Sequence, residues 1–238
     1  MQLTIHRGTH EVGGTCIELE TTRTRIVLDV GMPLFDSDRE PLDSRTLQRK
    51  TTEGLRSEGW LPNVAGLFDG GQPPDAILLT HGHLDHTGLL NHTRPQILVY
   101  ASKGTSKMML AGRLFAGGVE IPPEQFRELR PEQTTSIGDF RVTSFDVDHS
   151  IYGSTAFLIE ADGKSVLYSG DLRLHGRKTG MAKRMLAALK NKTIDVLLME
   201  GTHFGLPTDT DATEYELEDE IVEHIKDVKG LVLASFSP

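Results

Sequence analysis

The sequence predicts an α/β protein in which two mixed β-sheets pack face to face and helices cover the outer faces. Strand-like segments occur in both halves of the chain, segments with helical spacing lie between them, and two of the strands are mostly apolar. At 238 residues the chain is long enough to bury the core of one large domain. We therefore expect a single domain over residues 1–238.

The first part of the chain is predicted to be rich in strands. Leu3–Arg7 is a short candidate strand, Thr15–Glu20 alternates polar and apolar residues, and Arg25–Val30 is mostly apolar. Residues 32–72 are polar and rich in glycine, proline and aspartate. We expect this segment to be a long connection outside the sheet, and we expect it to contain one or two short helices.

Strands and helices alternate over the rest of the chain. The hairpin turn Asp162-Gly163 joins two of the strands. In the last helix we expect Leu217, Ile221, Val222 and Ile225 to face the inside of the protein. Helices are predicted over Ser102–Phe115, Met181–Leu189 and Thr213–Val228. Strands are predicted over Asp75–Thr80, Ile97–Tyr100, Phe140–Val147, Thr155–Glu160, Ser165–Tyr168, Ile194–Met199 and Leu231–Ser235.

Composition and charge exclude several classes of protein. The single cysteine, Cys16, rules out an internal disulfide and a cysteine-based zinc site, and we expect it to be a small buried strand residue. The net charge of −9 argues against tight nonspecific binding of nucleic acid, although bound cations would reverse the charge locally. The chain has neither an apolar run of about 20 residues nor the pattern of a signal peptide, which predicts a cytoplasmic protein without a membrane segment.

Four potential metal ligands lie within six residues, directly after the apolar strand that ends at Thr80. His81 and His83 are two residues apart, so an extended segment projects both to the same side. Asp85 and His86 are expected to begin the next helix. Buried imidazoles are costly unless they are satisfied, and imidazole with carboxylate favours Zn²⁺, with Mn²⁺ or iron as alternatives. This cluster therefore predicts two adjacent metal sites.

Two further residues are predicted to complete these sites. His149 follows the strand Phe140–Val147, and Asp171 follows the strand Ser165–Tyr168. Each of them alone would be interpreted as a solvated loop residue. Beside the first cluster, His149 is the best candidate for a third imidazole and Asp171 for a bridging carboxylate.

The order and spacing of these residues resemble the ligand set of the metallo-β-lactamase superfamily. The matching pattern is His81-x-His83-x-Asp85-His86, then His149, then Ser169-Gly170-Asp171. The resemblance implies an αββα sandwich with two divalent metal ions, one held by His81, His83 and His149, the other by Asp85, His86 and Asp171. The strand that ends in Leu28-Asp29-Val30-Gly31 resembles the first motif of the superfamily, which implies that Asp29 braces the histidine loop.

Three other segments are similar to the β-CASP group of this superfamily, which includes ribonuclease J and the endonuclease of messenger-RNA 3′-end processing. Residues 8–16 (Gly-Thr-His-Glu-Val-Gly-Gly-Thr-Cys) are similar to a loop near the start of that group, and Glu200-Gly201-Thr202 resembles its acidic motif. This implies that Glu200 lies near the scissile phosphate. Residues 234–237 resemble the point where the β-CASP domain begins, so we expect the N-terminal part of a longer protein, without that domain and its two histidines.

The resemblance implies a hydrolase that uses a hydroxide activated between two metal ions. The leading hypothesis is a phosphodiesterase that cleaves RNA, with Asp85, Asp171 and Glu200 as catalytic residues. Glu200 has an alternative role in orienting a ligand histidine. One alternative function is a hydrolase of small esters, thioesters or lactams on the same fold. An alternative of another class is an inactive scaffold or partner subunit.

Overall fold

Two β-sheets form the centre of the protein, and helices pack on their outer faces. The computed structural model describes residues 1–36, 38–202, 205 and 212–233. The first sheet contains β1 Gln2–Arg7, β2 Cys16–Glu20, β3 Arg25–Leu28, β4 Ala76–Leu78, β5 Leu98–Ala101 and β6 Phe126–Glu128, side by side in this order. The second sheet contains β7 Thr134–Ile137, β8 Phe140–Asp146, β9 Thr155–Ala161, β10 Lys164–Tyr168 and β11 Val196–Leu198, also side by side in this order. The described α-helices are α1 Ser44–Arg49, α2 Thr52–Ser57, α3 Leu84–Thr87, α4 Lys103–Ala116, α5 Gly180–Leu189 and α6 Glu214–Asp227.

Both sheets are mixed, and the predicted αββα sandwich is confirmed. In the first sheet β1, β2 and β3 pair antiparallel, whereas β3 to β6 run parallel. In the second sheet β7 to β10 pair antiparallel, and β11 pairs parallel to β10. Because β3 and β4 are parallel neighbours, the residues that follow them emerge at the same edge of the sheet. Asp29 and His81 are therefore brought together at one rim of the sandwich.

Strand β4 shows why some strands must be apolar on both faces. Ala76 and Leu78 belong to the core between the two sheets, together with Phe157 of β9. Ile77 belongs to a second core on the outer face of the first sheet, which includes Met109 of α4. The alternating faces of the strand are thus both buried, as the continuous apolar run predicts. A third apolar cluster packs α5 on the outer face of the second sheet.

Several local predictions are confirmed. The segment 32–72 contains the two short helices α1 and α2. Asp162 and Gly163 have φ angles of 52° and 68°, the left-handed values that a two-residue hairpin turn of type I′ requires. Cys16 is fully buried on β2.

Two predictions were wrong, and both concern the end of the chain. Leu217, Ile221, Val222 and Ile225 are 41–57% exposed on α6, so they do not form an inner face against the described residues. The apolar spacing predicts which side of a helix can be buried, but it cannot show that a partner packs there. The strand predicted over Leu231–Ser235 is absent at residues 231–233, and residues 234 and 235 lie outside the described part of the chain.

Strands β6 and β7 were not predicted from the sequence. They have three and four residues, and their side chains are mostly exposed or half-buried, so they lack the apolar pattern by which a strand is recognised. No helix in the described parts of the chain combines the length and apolar character that crossing a bilayer requires.

Candidate metal centre

The histidine loop lies at the rim of the sandwich, between the end of β4 and helix α3. The backbone where the loop continues into α3 is held by the residues that follow β3 and precede β2, since Val30 N donates to His86 O (2.8 Å) and Thr15 N donates to Asp85 O (3.2 Å). Gly31 packs so closely on this loop that a Cβ atom would overlap the carbonyl oxygen of Asp85. The loop is therefore built into the first sheet.

Three imidazoles converge at the first group of candidate ligands. Nδ1 of His83 lies 3.1 Å from Nε2 of His81 and 3.1 Å from Nε2 of His149. A tetrahedral zinc ion with bonds of about 2.0 Å places its ligand atoms roughly 3.3 Å apart. The spacing and the chemistry of this donor set therefore fit a divalent metal ion.

Asp171 lies between this group and a second one formed by Asp85 and His86. Its Oδ2 is 3.8 Å from Nε2 of His81 and 3.7 Å from Nε2 of His149. Its Oδ1 is 3.3 Å from Nε2 of His86, which in turn lies 3.7 Å from Oδ2 of Asp85. One oxygen of Asp171 thus faces each group, which is the arrangement of a bridging carboxylate.

The ionisation of His81, His83 and His149 also suits metal binding. Burial lowers the pKa of His81 well below its usual value, and burial is likewise the main cause of the lowered pKa values of His83 and His149. These rings are therefore neutral at neutral pH, the form that offers a lone pair to a cation. Burial by itself would lower the pKa of His86, but Asp29 and Asp171 raise it well above its usual value.

Asp29 connects the histidine loop to both sheets. It is fully buried, and its Oδ1 accepts from Thr80 N at 2.8 Å. Its Oδ2 accepts from Thr80 Oγ1 (2.8 Å) and Tyr168 OH (2.6 Å) and lies 2.8 Å from Nδ1 of His86. The structure thus places Asp29 against the loop that the sequence predicted it to brace.

Thr80 and Tyr168 were not recognised from the sequence as part of the site. Thr80 Oγ1 donates to Asp29, so it accepts from Nδ1 of His81, which lies 3.0 Å away. This hydrogen bond fixes the tautomer in which Nε2 of His81 presents its lone pair to the site. For Tyr168, the only available signal was a tyrosine on a buried strand, whose hydroxyl needs a partner.

Glu200 lies beside the loop that carries Asp171. Its Oε1 accepts from the backbone N–H of Leu172 at 3.3 Å, and its own N–H donates to Ser169 Oγ at 3.3 Å. Within the described parts of the chain, the carboxylate of Glu200 thus hydrogen-bonds to the backbone next to Asp171 and not to a histidine. Two other histidines, His175 and His224, are exposed, and His203 lies outside the described residues.

The candidate site opens into a groove of about 390 Å³ that runs along the rim between the two sheets. Asp85, His86, Asp171 and Glu200 line this groove, together with residues of the loop between β1 and β2. Arg7, the arginine of this groove, is held by two hydrogen bonds to Glu11, at 3.0 and 2.7 Å.

The chain is similar to proteins named RNase J-like protein and ribonuclease J. It is 24% identical over 236 residues to the RNase J-like protein of Methanocaldococcus jannaschii, which covers 94% of this chain and 48% of that protein. It is 27% identical over 215 residues to ribonuclease J of Mycobacterium tuberculosis, which covers 87% of this chain and 35% of that protein. The chain thus spans half or less of the length of these two relatives.

A solved structure of a bacterial protein matches most of the chain. A protein of unknown function from Enterococcus faecalis is 27% identical, superposes with a TM-score of 0.77, and is matched over 94% of this chain and 57% of its own. The resemblance predicted from the motifs is confirmed by these relatives and by the family described as "Beta-lactamase superfamily domain", which matches residues 53–230. Because that match covers well over half of its length, the chain belongs to the beta-lactamase superfamily.

Proposed function

We propose that this chain is a metal-dependent hydrolase that cleaves phosphodiester bonds in RNA. The observation that carries the proposal is the position of Asp171, whose two oxygens face the His81–His83–His149 group and His86, respectively. Six candidate ligands from three distant stretches of chain meet there. The similarity to proteins named ribonuclease J supports RNA as the substrate.

The donor set fits two divalent cations, for which zinc is our first choice, with manganese or iron as alternatives. We propose that His81, His83 and His149 hold one ion and that Asp85, His86 and Asp171 hold the other. Such ions would supply positive charge opposite a phosphoryl oxygen and make a water molecule more acidic. The positive charge of the ions would also offset, at the site itself, the repulsion between RNA and a chain of net charge −9.

The residues of the chain then have separate tasks. Asp29 and Thr80 orient His86 and His81, and Asp171 accepts a hydrogen bond from the attacking water and aligns it. Glu200 lines the groove that Asp171 also lines, and we assign its carboxylate the exchange of a proton with the leaving group. The groove is open, so an extended RNA strand can lie along it.

Metal content and RNA cleavage test the proposal together. The purified chain should bind about two equivalents of zinc and cleave a 5′-labelled single-stranded RNA. His83→Ala and Asp171→Ala should reduce cleavage by at least about 100-fold and lower the zinc content, because each removes a ligand. His224→Ala, on the exposed surface of α6, is the matched histidine control and should leave both unchanged.

Two other outcomes would favour a different function. A chain that binds no metal would favour the inactive scaffold or partner subunit. Hydrolysis of a thioester or lactam without RNA cleavage would favour the small-molecule hydrolase. The single-domain boundary 1–238, the continuation into a longer protein and the cytoplasmic location stay predictions.

A further inference from the structure

Asp148 is a nearly buried carboxylate, 6% exposed, that directly precedes His149 and is not one of the candidate ligands. Its Oδ1 accepts from Nε of Arg173 at 3.3 Å, and its Oδ2 accepts from the backbone N–H of Lys178 at 2.8 Å. The backbone N–H of Arg173 also donates to the carbonyl oxygen of Asp148 at 2.8 Å. Arg173 lies two residues after Asp171. The bridge from Asp148 to Arg173 therefore joins the two loops that carry His149 and Asp171.

These two loops need such a bridge because the sheet does not join them directly. His149 follows β8 and Asp171 follows β10, and β9 lies between these strands. Neighbouring strands are about 4.8 Å apart, so β8 and β10 are separated by roughly 9.6 Å. Beyond the strand ends the two backbones come closer, since Arg173 N donates to the carbonyl oxygen of Asp148 at 2.8 Å. Nε2 of His149 and Oδ2 of Asp171 are 3.7 Å apart. Because β8 and β10 are not paired with each other, contacts outside the strand ladder hold the two loops at this separation.

The close approach of the loops is supported by Gly176. A Cβ atom at this position would overlap the carboxylate of Asp148 and lie 2.7 Å from Nε of Arg173. The backbone at Gly176 thus packs directly on the ion pair, which shields the pair from water.

The same guanidinium reaches a third element. Nη1 of Arg173 lies 2.7 Å from Oε1 of Glu214 in the first turn of α6. A guanidinium can bridge two carboxylates in this way because its donors point in fixed, different directions, whereas a lysine offers a single point charge. Arg177, in the same loop, also contacts α6 through Glu214 and Glu218. The two arginines therefore share a partner helix, but it is Arg173 whose side chain pairs with Asp148.

We propose that Arg173 is a positioning residue that holds the loops of His149 and Asp171 at the separation the metal centre needs. The role rests on the proposed function, since it acts on two of the proposed ligands. Residues that orient metal ligands typically change metal affinity by about 10- to 100-fold when they are replaced. Because the backbone hydrogen bond between Arg173 and Asp148 survives a side-chain substitution, we expect the lower end of that range.

Zinc affinity and hydrogen exchange test the proposal in parallel. Zn²⁺ is titrated into wild type and Arg173→Gln in competition with a chromophoric chelator, and the variant should bind zinc roughly tenfold more weakly. In the metal-free proteins, hydrogen exchange measured by mass spectrometry should become faster in residues 147–151 and 171–176. Arg173→Lys should not rescue either change, because an ammonium cannot reach both carboxylates.

Arg177→Gln is the matched control, since it alters the same loop and the same contact with α6 and leaves Asp148 paired. It should retain wild-type zinc affinity and wild-type exchange at residues 147–151. The proposal would be overturned if the two variants had equal effects. It would also be overturned if Arg173→Gln lowered the stability of the protein but left the zinc affinity and the hydrogen exchange of the loops as in wild type. If wild type itself binds no zinc, the proposed function fails, and the exchange comparison still decides whether Arg173 holds the loops.

Discussion

Replacing Asp29 with asparagine exchanges one carboxylate oxygen for an amide nitrogen at a fully buried position. Asparagine tolerates the left-handed backbone at this residue (φ 56°), so the change tests hydrogen bonding and charge without adding backbone strain. Oδ2 has three partners and Oδ1 has one, the N–H of Thr80. The amide nitrogen should therefore turn towards the backbone N–H of Thr80. Two donors then face each other at this one position, and neither has an acceptor.

The expected cost follows from these contacts. An unsatisfied buried N–H costs about 1–3 kcal/mol, and each of three hydrogen bonds weakens by roughly 1 kcal/mol when its acceptor loses its charge. Since such terms are not additive, we expect the free energy of unfolding to fall by about 3–5 kcal/mol, the range found when one partner of a buried ion pair is removed.

Urea unfolding of the metal-free protein, followed by circular dichroism, measures this loss without a contribution from metal binding. Asp162→Asn is the matched control, because Asp162 also has a left-handed backbone (φ 52°) but lies in the exposed hairpin turn. Asp162→Asn should lower the free energy of unfolding by about 0.5 kcal/mol or less. An Asp29→Asn variant within about 1 kcal/mol of wild type would refute the view that this carboxylate joins the histidine loop to the two sheets.

Three further predictions concern Cys16, Gly31 and Glu18. The thiol of Cys16 is fully buried and its pKa is raised, mainly by burial, so Ellman's reagent should modify less than about 0.1 equivalent in the native protein and one equivalent in denaturant. Gly31→Ala should lower the free energy of unfolding by about 3 kcal/mol or more, because its Cβ would overlap the carbonyl oxygen of Asp85; a wild-type urea midpoint would contradict this. The pKa of Glu18 is held below its usual value of 4.5, chiefly by the hydrogen bond with His6. The stability that Glu18 contributes is therefore present above that value and lost as the pH falls, so thermal unfolding of Glu18→Gln should depend less on pH between about 5 and 3 than that of wild type.

Much of the fold could be predicted because each central strand has a local pattern. The apolar run Asp75–Thr80 predicts a strand buried on both faces, and β4 packs between two apolar cores. The turn residues Asp162 and Gly163 predict the hairpin of β9 and β10, since both must have left-handed backbone angles. The candidate ligands were recognisable for a similar reason, because His81, His149 and Asp171 each follow a predicted strand.

Other features depend on contacts between segments that are distant in the chain. The amphipathic spacing of α6 is equally consistent with a buried and with an exposed apolar face, and only the packing of the chain shows that the described residues leave it exposed. Strands β6 and β7 are formed by pairing with β5 and β8, and not by an apolar pattern of their own.

The sequence by itself determined the layered α/β architecture and the identity of the candidate ligands, because burial and strand ends leave periodic signals in a short stretch of residues. The tertiary structure alone decided the distances between those ligands, the buried partners Thr80 and Tyr168 of Asp29, and the bridge from Asp148 to Arg173. Each of these is a hydrogen bond or contact between residues from different strands and loops. Their positions follow from how the two sheets pack, which no local pattern of residues encodes.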